Sequence, residues 1–273
     1  MRARAIWGAL LVTLSTATGV RAEDPTYFVA LGDSLAIGIQ PAANGSYVPT
    51  NRGYVDDLYA FYHSRFPALH LVKFGCSGET TSSMISGLQS PCSYPAGSQL
   101  SEALAFLQSH RVGLITLDIG ANNMFACFFA VPLDPNCVAN AASTAANDLA
   151  VILGALHAAS PHTLIVGMNY YDPFLAAWVF GPTGQALATL SLPLVRGFNH
   201  ALETVYQALQ VPVANVAATF RINSPQGVTP LNVAMALGWT WMGAPPPRGP
   251  DVHPNTLGYA AIAAAFAKVI AVQ

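Results

Sequence analysis

Residues Tyr27–Leu35 read YFVALGDSL. Five apolar or aromatic residues, Tyr27 to Leu31, end at Gly32, and a carboxylate and a hydroxyl follow at once as Asp33 and Ser34. A run that is apolar throughout, without the alternation of a half-exposed strand, is the pattern of a strand covered on both faces. The glycine permits a turn, and the polar pair is then presented where the strand stops.

Working outward, further short runs rich in β-branched residues read as buried strands at His70–Phe74, Gly113–Ile119, Thr163–Met168 and Val211–Val216. Helical spacing lies between them. Arg52–Phe66 places Val55, Leu58, Tyr59 and Tyr62 on one face, and Leu100–Gln108 does so with Leu100, Leu104 and Leu107. Ala141–Ala158, Gln185–Leu209 and Thr256–Val272 complete the set, the last led by Pro254 and Asn255 as a helix start. Strands alternating with helices predict an α/β fold with a central parallel sheet covered on both faces. Asn223–Pro250, with Trp239, Trp241 and the run Pro245–Pro247, reads as a long irregular loop. Its tryptophans suit either a segment packed near a site or a surface loop tied down by aromatics.

The chain of 273 residues has room for a large core, shows no internal repeat, and contains no linker long enough to divide it. Residues 23–273 are therefore expected to form one domain. Only 9% of residues are charged, and the 11 lysines and arginines are scattered, so no basic face for nucleic acid is expected. Residues 1–22, MRARAIWGALLVTLSTATGVRA, carry Arg2 and Arg4, an apolar run and Val20-Arg-Ala22, the pattern of a signal peptide cleaved after Ala22. A mature chain without a transmembrane helix, secreted to the medium or the cell envelope, follows. Cys76, Cys92, Cys127 and Cys137 then form an even set in an oxidising compartment. Four cysteines allow three pairings, and proximity favours Cys76–Cys92 with Cys127–Cys137. No CxxC pair or histidine cluster accompanies them, so no metal is expected.

Ligands of open parallel sheets bind beyond the carboxyl ends of the strands. Those ends read Gly32-Asp33-Ser34-Leu35, Gly75-Cys-Ser-Gly78-Glu-Thr80 and Gly120-Ala-Asn122-Asn123, with Asp251-Val-His253-Pro254-Asn255 before the final helix. Each alone is a strand-end turn or a helix start. Together they hold the parts of an acyl-transfer site. A serine hydroxyl needs a base, usually histidine, and the histidine needs a partner to fix its tautomer. A tetrahedral intermediate needs donors aimed at its oxyanion, which the backbone amides of Ser34 and Gly78 and the side chain of Asn122 can supply.

These four segments, in this order and over nearly all of the chain after residue 22, resemble the sequence blocks of the GDSL, or SGNH, hydrolase family. GDSLAIG, Gly32 to Gly38, is the most specific. The resemblance implies a flavodoxin-like three-layer α/β/α sandwich and a cofactor-independent esterase, lipase or thioesterase. It implies Ser34 as nucleophile, Gly78 and Asn122 in the oxyanion hole, and His253 as base. GETT and PPPRGPDVHPN are similar to stretches of secreted actinobacterial members. Two departures stand out. Pro250 occupies the family's usual acid position, three before the histidine, so the acid role is assigned to Asp251, with a backbone carbonyl as the alternative. Asn123 stands where many members have Asp, and is expected to support its loop. Asp33 is expected to brace the turn by accepting backbone hydrogen bonds.

Competing signatures are missing: no GxSxG, HExxH, P-loop or GxGxxG. Ser77 is a rival nucleophile with no base beside it. The expected function is that of a secreted, monomeric serine hydrolase cleaving carboxylic esters, with a lipidic or aryl ester favoured by the apolar composition. The alternatives are a carbohydrate acetylesterase and a non-catalytic lipid- or glycan-binding module. The intact Ser34, Gly78, Asn122 and His253 count against the module.

Overall fold

The YFVAL run becomes the core of β1, Thr26–Gly32, with Phe28 to Gly32 all buried. In the computed structural model, which describes residues 26–128 and 134–271, the chain continues through a small hairpin, β2 (Ile39–Pro41) and β3 (Tyr47–Pro49). Then come α1 (Tyr54–His63), β4 (Leu69–Lys73), α2 (Thr81–Ser86), α3 (Gln99–Ser109), β5 (Val112–Asp118) and α4 (Ala121–Phe128). The second half holds α5 (Pro135–Ala159), β6 (Leu164–Met168), a 3-10 helix at Pro173–Phe180, α6 (Pro182–Ala208) and β7 (Val213–Ala214). It closes with α7 (Val216–Thr219), α8 (Pro230–Trp239), a 3-10 turn at Trp241–Gly243 and α9 (Thr256–Ile270). The expected signal peptide, residues 1–22, lies outside the described residues.

The main sheet has five strands in the order β4-β1-β5-β6-β7, every pairing parallel. Helices α1 and α9 pack together, with Tyr54 stacked on Phe266 at 4.7 Å, and α9 also packs on β6 and β7. Helices α2, α3, α4 and α6 gather around α5, and Tyr206 of α6 presses on Gly167 of β6. This is the expected α/β architecture of helices flanking a parallel sheet. The strand order reverses between β1 and β5, and the crevice at such a reversal is where this topology binds ligands.

Two stretches differ from the sequence expectation. Asn223–Pro250 contains α8, whose capping box of Thr229 and Asn232 and whose Pro230 at the first turn are orthodox start signals. The run of Trp and Pro that follows it drew the reading toward loop. The last strand shrinks to two residues because Pro212 offers no amide to the ladder and Asn215 already caps α7. Trp239 packs edge-on against Phe220 at 5.0 Å, which fastens the segment to the core.

Gly32 decides how β1 ends. It sits at φ +140°, opposite Asp118 in the β1–β5 register, and a Cβ there would lie 2.2 Å from the Asp118 carbonyl oxygen. Both its backbone groups are clasped by Gln99, through Nε2 to the carbonyl at 2.9 Å and Oε1 to the amide at 2.7 Å. Gly32→Ala is expected to destabilise the fold by about 3 kcal/mol or more, because no side chain can give way to backbone. A urea midpoint within error of the wild type would contradict this.

Candidate active site

Three segments converge on the carboxyl edge of the sheet. The first is the turn after β1. Asp33 donates its amide to the Asp118 carbonyl at 3.1 Å, and its Oδ1 accepts the Leu35 amide at 3.0 Å. Ala36 donates to Asp118 Oδ2 at 3.1 Å. The turn is thus pinned from below, and Ser34 stands on it with its hydroxyl facing the cavity.

The second segment is the turn before α9. Trp241 anchors it by main-chain bonds, donating to His253 O at 3.0 Å and accepting from the Asp251 amide at 3.2 Å. Asn255 caps α9, its Oδ1 accepting from Leu257 at 3.0 Å and Gly258 at 3.1 Å. The imidazole is held between two partners: Nε2 is 2.9 Å from Ser34 Oγ, and Nδ1 is 2.9 Å from Asp251 Oδ1. The same Asp251 oxygen accepts the His253 backbone amide at 3.0 Å. That double bond from one oxygen is how a carboxylate only two residues upstream folds back onto the ring. Burial raises the Asp251 carboxyl, but hydrogen bonds from His253 and Tyr47 outweigh it and hold the group below its usual value.

The third segment starts α4. Asn122 Nδ2 donates to the Glu79 carbonyl at 2.9 Å, which joins it to the turn holding Gly78, at φ +86°. Asn122 and Ser34 both line the cavity, whereas Gly78 is not among its lining residues. Asn123 grips the start of α2, accepting the Thr81 amide at 3.0 Å and donating to its hydroxyl at 2.8 Å. Ser77 lies outside the cavity lining. Trp239 and Trp241 are also outside it and serve as anchors. The disulfides are Cys76–Cys92 and Cys127–Cys137.

Several residues that matter here gave no clear signal in the sequence. Glu79 is fully buried and accepts from Ser83 at 2.5 Å, Ser90 at 3.0 Å and Gln99 at 3.3 Å, so it organises the turn that carries Gly78. Tyr47, on the hairpin, lies against His253 with ring centroids 5.3 Å apart. Asp118 is fully buried at the end of β5, taking the Tyr54 hydroxyl at 2.5 Å. Only the strand-end rule, extended two residues backward from Gly120, points to it.

Among the described residues no helix is long and apolar enough to cross a membrane, and no group of His, Cys, Asp and Glu is set to hold a metal ion.

A five-stranded parallel sheet flanked by helices is an α/β fold that solved structures also display. A lipase from a goat rumen metagenome matches over 89% of this chain and 97% of its own, at 18% identity and a TM-score of 0.58. An extracellular lipase from Streptomyces rimosus matches over 89% and 99%, at 16% identity and TM-score 0.59. A putative GDSL-like lipase from Parabacteroides merdae covers 92% and 97%, at 16% identity and TM-score 0.58. A search of curated proteins gives no match. The model of the GDSL-like Lipase/Acylhydrolase family matches residues 30–261, and the chain belongs to that family of hydrolases.

Beneath Ser34 two carboxyls share one buried site. Burial pushes Asp33 up to about 6, and burial together with the charge of Asp33 pushes Asp118 well above the carboxylate range. The Asp33 amide lies 3.4 Å from Asp118 Oδ2, and two carboxyls buried this near one another favour keeping one proton between the pair over carrying two charges. The folded state holds that proton more tightly than the unfolded chain. The stability it contributes is therefore complete below about pH 4 and is lost as pH rises through about 6. Asp118→Asn carries no charge at any pH and so has no proton to lose. Urea unfolding of both proteins from pH 4 to 8 should show the variant gaining on the wild type as pH rises. A constant difference across that window would refute the shared proton.

Proposed function

We propose that this protein is a serine esterase or lipase that cleaves carboxylic esters through Ser34, His253 and Asp251. The observation that carries this reading is the unbroken row from Asp251 Oδ1 to His253 Nδ1 and from Nε2 to Ser34 Oγ, each step 2.9 Å. That is proton-transfer distance without further movement.

The reaction follows from the geometry. Ser34 Oγ attacks the ester carbonyl carbon while His253 Nε2 takes its proton. Asp251 fixes the ring with its proton on Nδ1 and stabilises the imidazolium that forms. The carbonyl oxygen becomes an oxyanion, met by the Ser34 and Gly78 amides and by the Asn122 side chain. Asn122 already donates one proton of its amide to Glu79 and keeps the second for this use. The tetrahedral adduct collapses, the carbon–oxygen bond to the alcohol breaks, and His253 returns the proton to the leaving alkoxide. Water, deprotonated by the same nitrogen, then releases the acid from Ser34.

Residues 1–22 and the two disulfides support a secreted protein, working as a monomer on a small or lipid ester with neither metal nor cofactor. The cavity over Ser34 is walled by Leu35, Met124, Phe125, Phe174 and Val195, which favours a lipidic or aryl ester over an acetylated glycan.

Purified protein is expected to hydrolyse aryl esters and to be labelled by a fluorophosphonate. Ser34→Ala should lose at least about 10⁴ in kcat, Asp251→Asn about 10³ to 10⁴, and Asn122→Ala about 10² to 10³. Undiminished turnover in Ser34→Ala would overturn the assignment, and a folded wild type that neither turns over nor takes the label would support a binding module instead.

A further inference from the structure

The cavity at Ser34 holds about 230 Å³ and is open on one flank. A leaving alcohol must depart beside His253 Nε2, because that nitrogen returns its proton. It therefore occupies the flank formed by His253, Val252 and Tyr47, and Tyr47 is 58% exposed, so this flank opens to solvent. The remaining flank is lined by Met124 and Phe125 of α4, Phe174 of the 3-10 helix and Val195 of α6. Met124, Phe174 and Val195 are all buried, Val195 completely.

These walls are braced. Phe174 stacks on Phe128 at 4.6 Å, and its amide is tied to Asp172 Oδ1 at 2.9 Å. Helix α4 is fastened to α5 through Cys127–Cys137. Close-packed side chains backed by other close-packed side chains do not retreat without loss of contact. The capacity of the flank is therefore a fixed property of the fold.

We propose that this flank is an acyl site sized for chains of about four to six carbons, with Val195 and Phe174 setting the upper limit. The inference rests on the ester-hydrolase reading above. At about 30 Å³ per non-hydrogen atom, 230 Å³ holds roughly eight atoms. The reacting carbonyl carbon and two ester oxygens take three of these, and the roughly five left are an upper bound on the chain carbons, because the alcohol's flank belongs to the same cavity. An acetyl group fills little of the apolar surface, and each further methylene buried raises kcat/KM about fourfold until the wall is reached. Longer chains must fold back or displace Val195 and Phe174.

The test is a series of p-nitrophenyl esters from acetyl to dodecanoyl, hydrolysed by the purified full chain. Butanoyl should exceed acetyl by about fifteenfold in kcat/KM, the maximum should fall at butanoyl or hexanoyl, and decanoyl should lie at least about tenfold below it. Val195→Ala and Phe174→Ala should move the maximum to longer chains, and Val195→Phe should move it toward acetyl. Phe125→Ala, at a half-buried position that tolerates truncation, should also move it longer, which keeps the test valid if a core variant fails to fold. A flat profile, or a maximum that stays in place in every folded variant, overturns the acyl assignment while turnover itself leaves the hydrolase reading intact. No turnover of any ester, together with no fluorophosphonate labelling, overturns both.

Discussion

The contact on which the site depends is the one between Gly32 and Asp118, where β1 and β5 run side by side at the reversal of strand order. No side chain separates the two strands there, so the chain can turn over the end of β5 instead of passing beyond it. Asp118 then serves the turn as a floor, accepting the amides of Asp33 and Ala36. Its carboxyl is far from water and keeps company with a second carboxyl. That arrangement is tolerable only because a proton is retained and Tyr54 donates from the other side. A serine raised on a backbone fixed at both ends has little freedom to leave its imidazole.

The imidazole arrives by a separate route, and its placement is a matter of main-chain bonds. Trp241 holds both ends of the Asp251–His253 turn, and Tyr171 donates its hydroxyl to the Val252 carbonyl at 2.8 Å. With three successive residues so constrained, the backbone beneath the ring is fixed, and Ser34 and Asp251 hold the ring itself. This explains how a two-residue spacing can work in place of three. The carboxylate reaches the ring by first bonding the amide of the same histidine, so the turn and the pairing form together.

The parts of this architecture visible in the sequence are those written in local pattern. The apolar runs of β1, β5 and β6 specify buried strands whatever surrounds them, and Ser34, Asn122 and His253 follow from the ends of such elements. What stayed hidden depends on contacts between distant segments. The hairpin β2–β3 is three residues a side, β2 buried and β3 exposed throughout, and no periodicity survives at that length. Glu79 reads as an ordinary surface acid until Gln99, twenty residues on, and Ser90 close over it. Helix α8 is masked by its own end and its neighbours: its cap signals are present, but Trp239, Trp241 and Pro245–Pro247 outweigh them. Asp251 lay between, since its chemistry was plain and only the turn could show that it reaches.

The disulfides fit this division between fixed scaffold and fixed turn. Cys76 lies two residues before Gly78, and Cys127 five residues after Asn122, so each bridge grips a segment that carries one of the proposed oxyanion donors. Neither segment has a hydrophobic core of its own; the Gly78 turn is held by polar bonds around Glu79, and a Cβ at Gly78 would already be 3.2 Å from Pro91, next to Cys92. Donors that must meet a developing negative charge help most when they need not move to do so. In a chain with few charges to build ion-pair networks, two covalent loops of 16 and 10 residues achieve that immobility directly. Helix α4 carries the consequence furthest, because the same turn of helix presents Asn122, Met124 and Phe125 to the cavity, so whatever holds the proposed donor still also holds the wall.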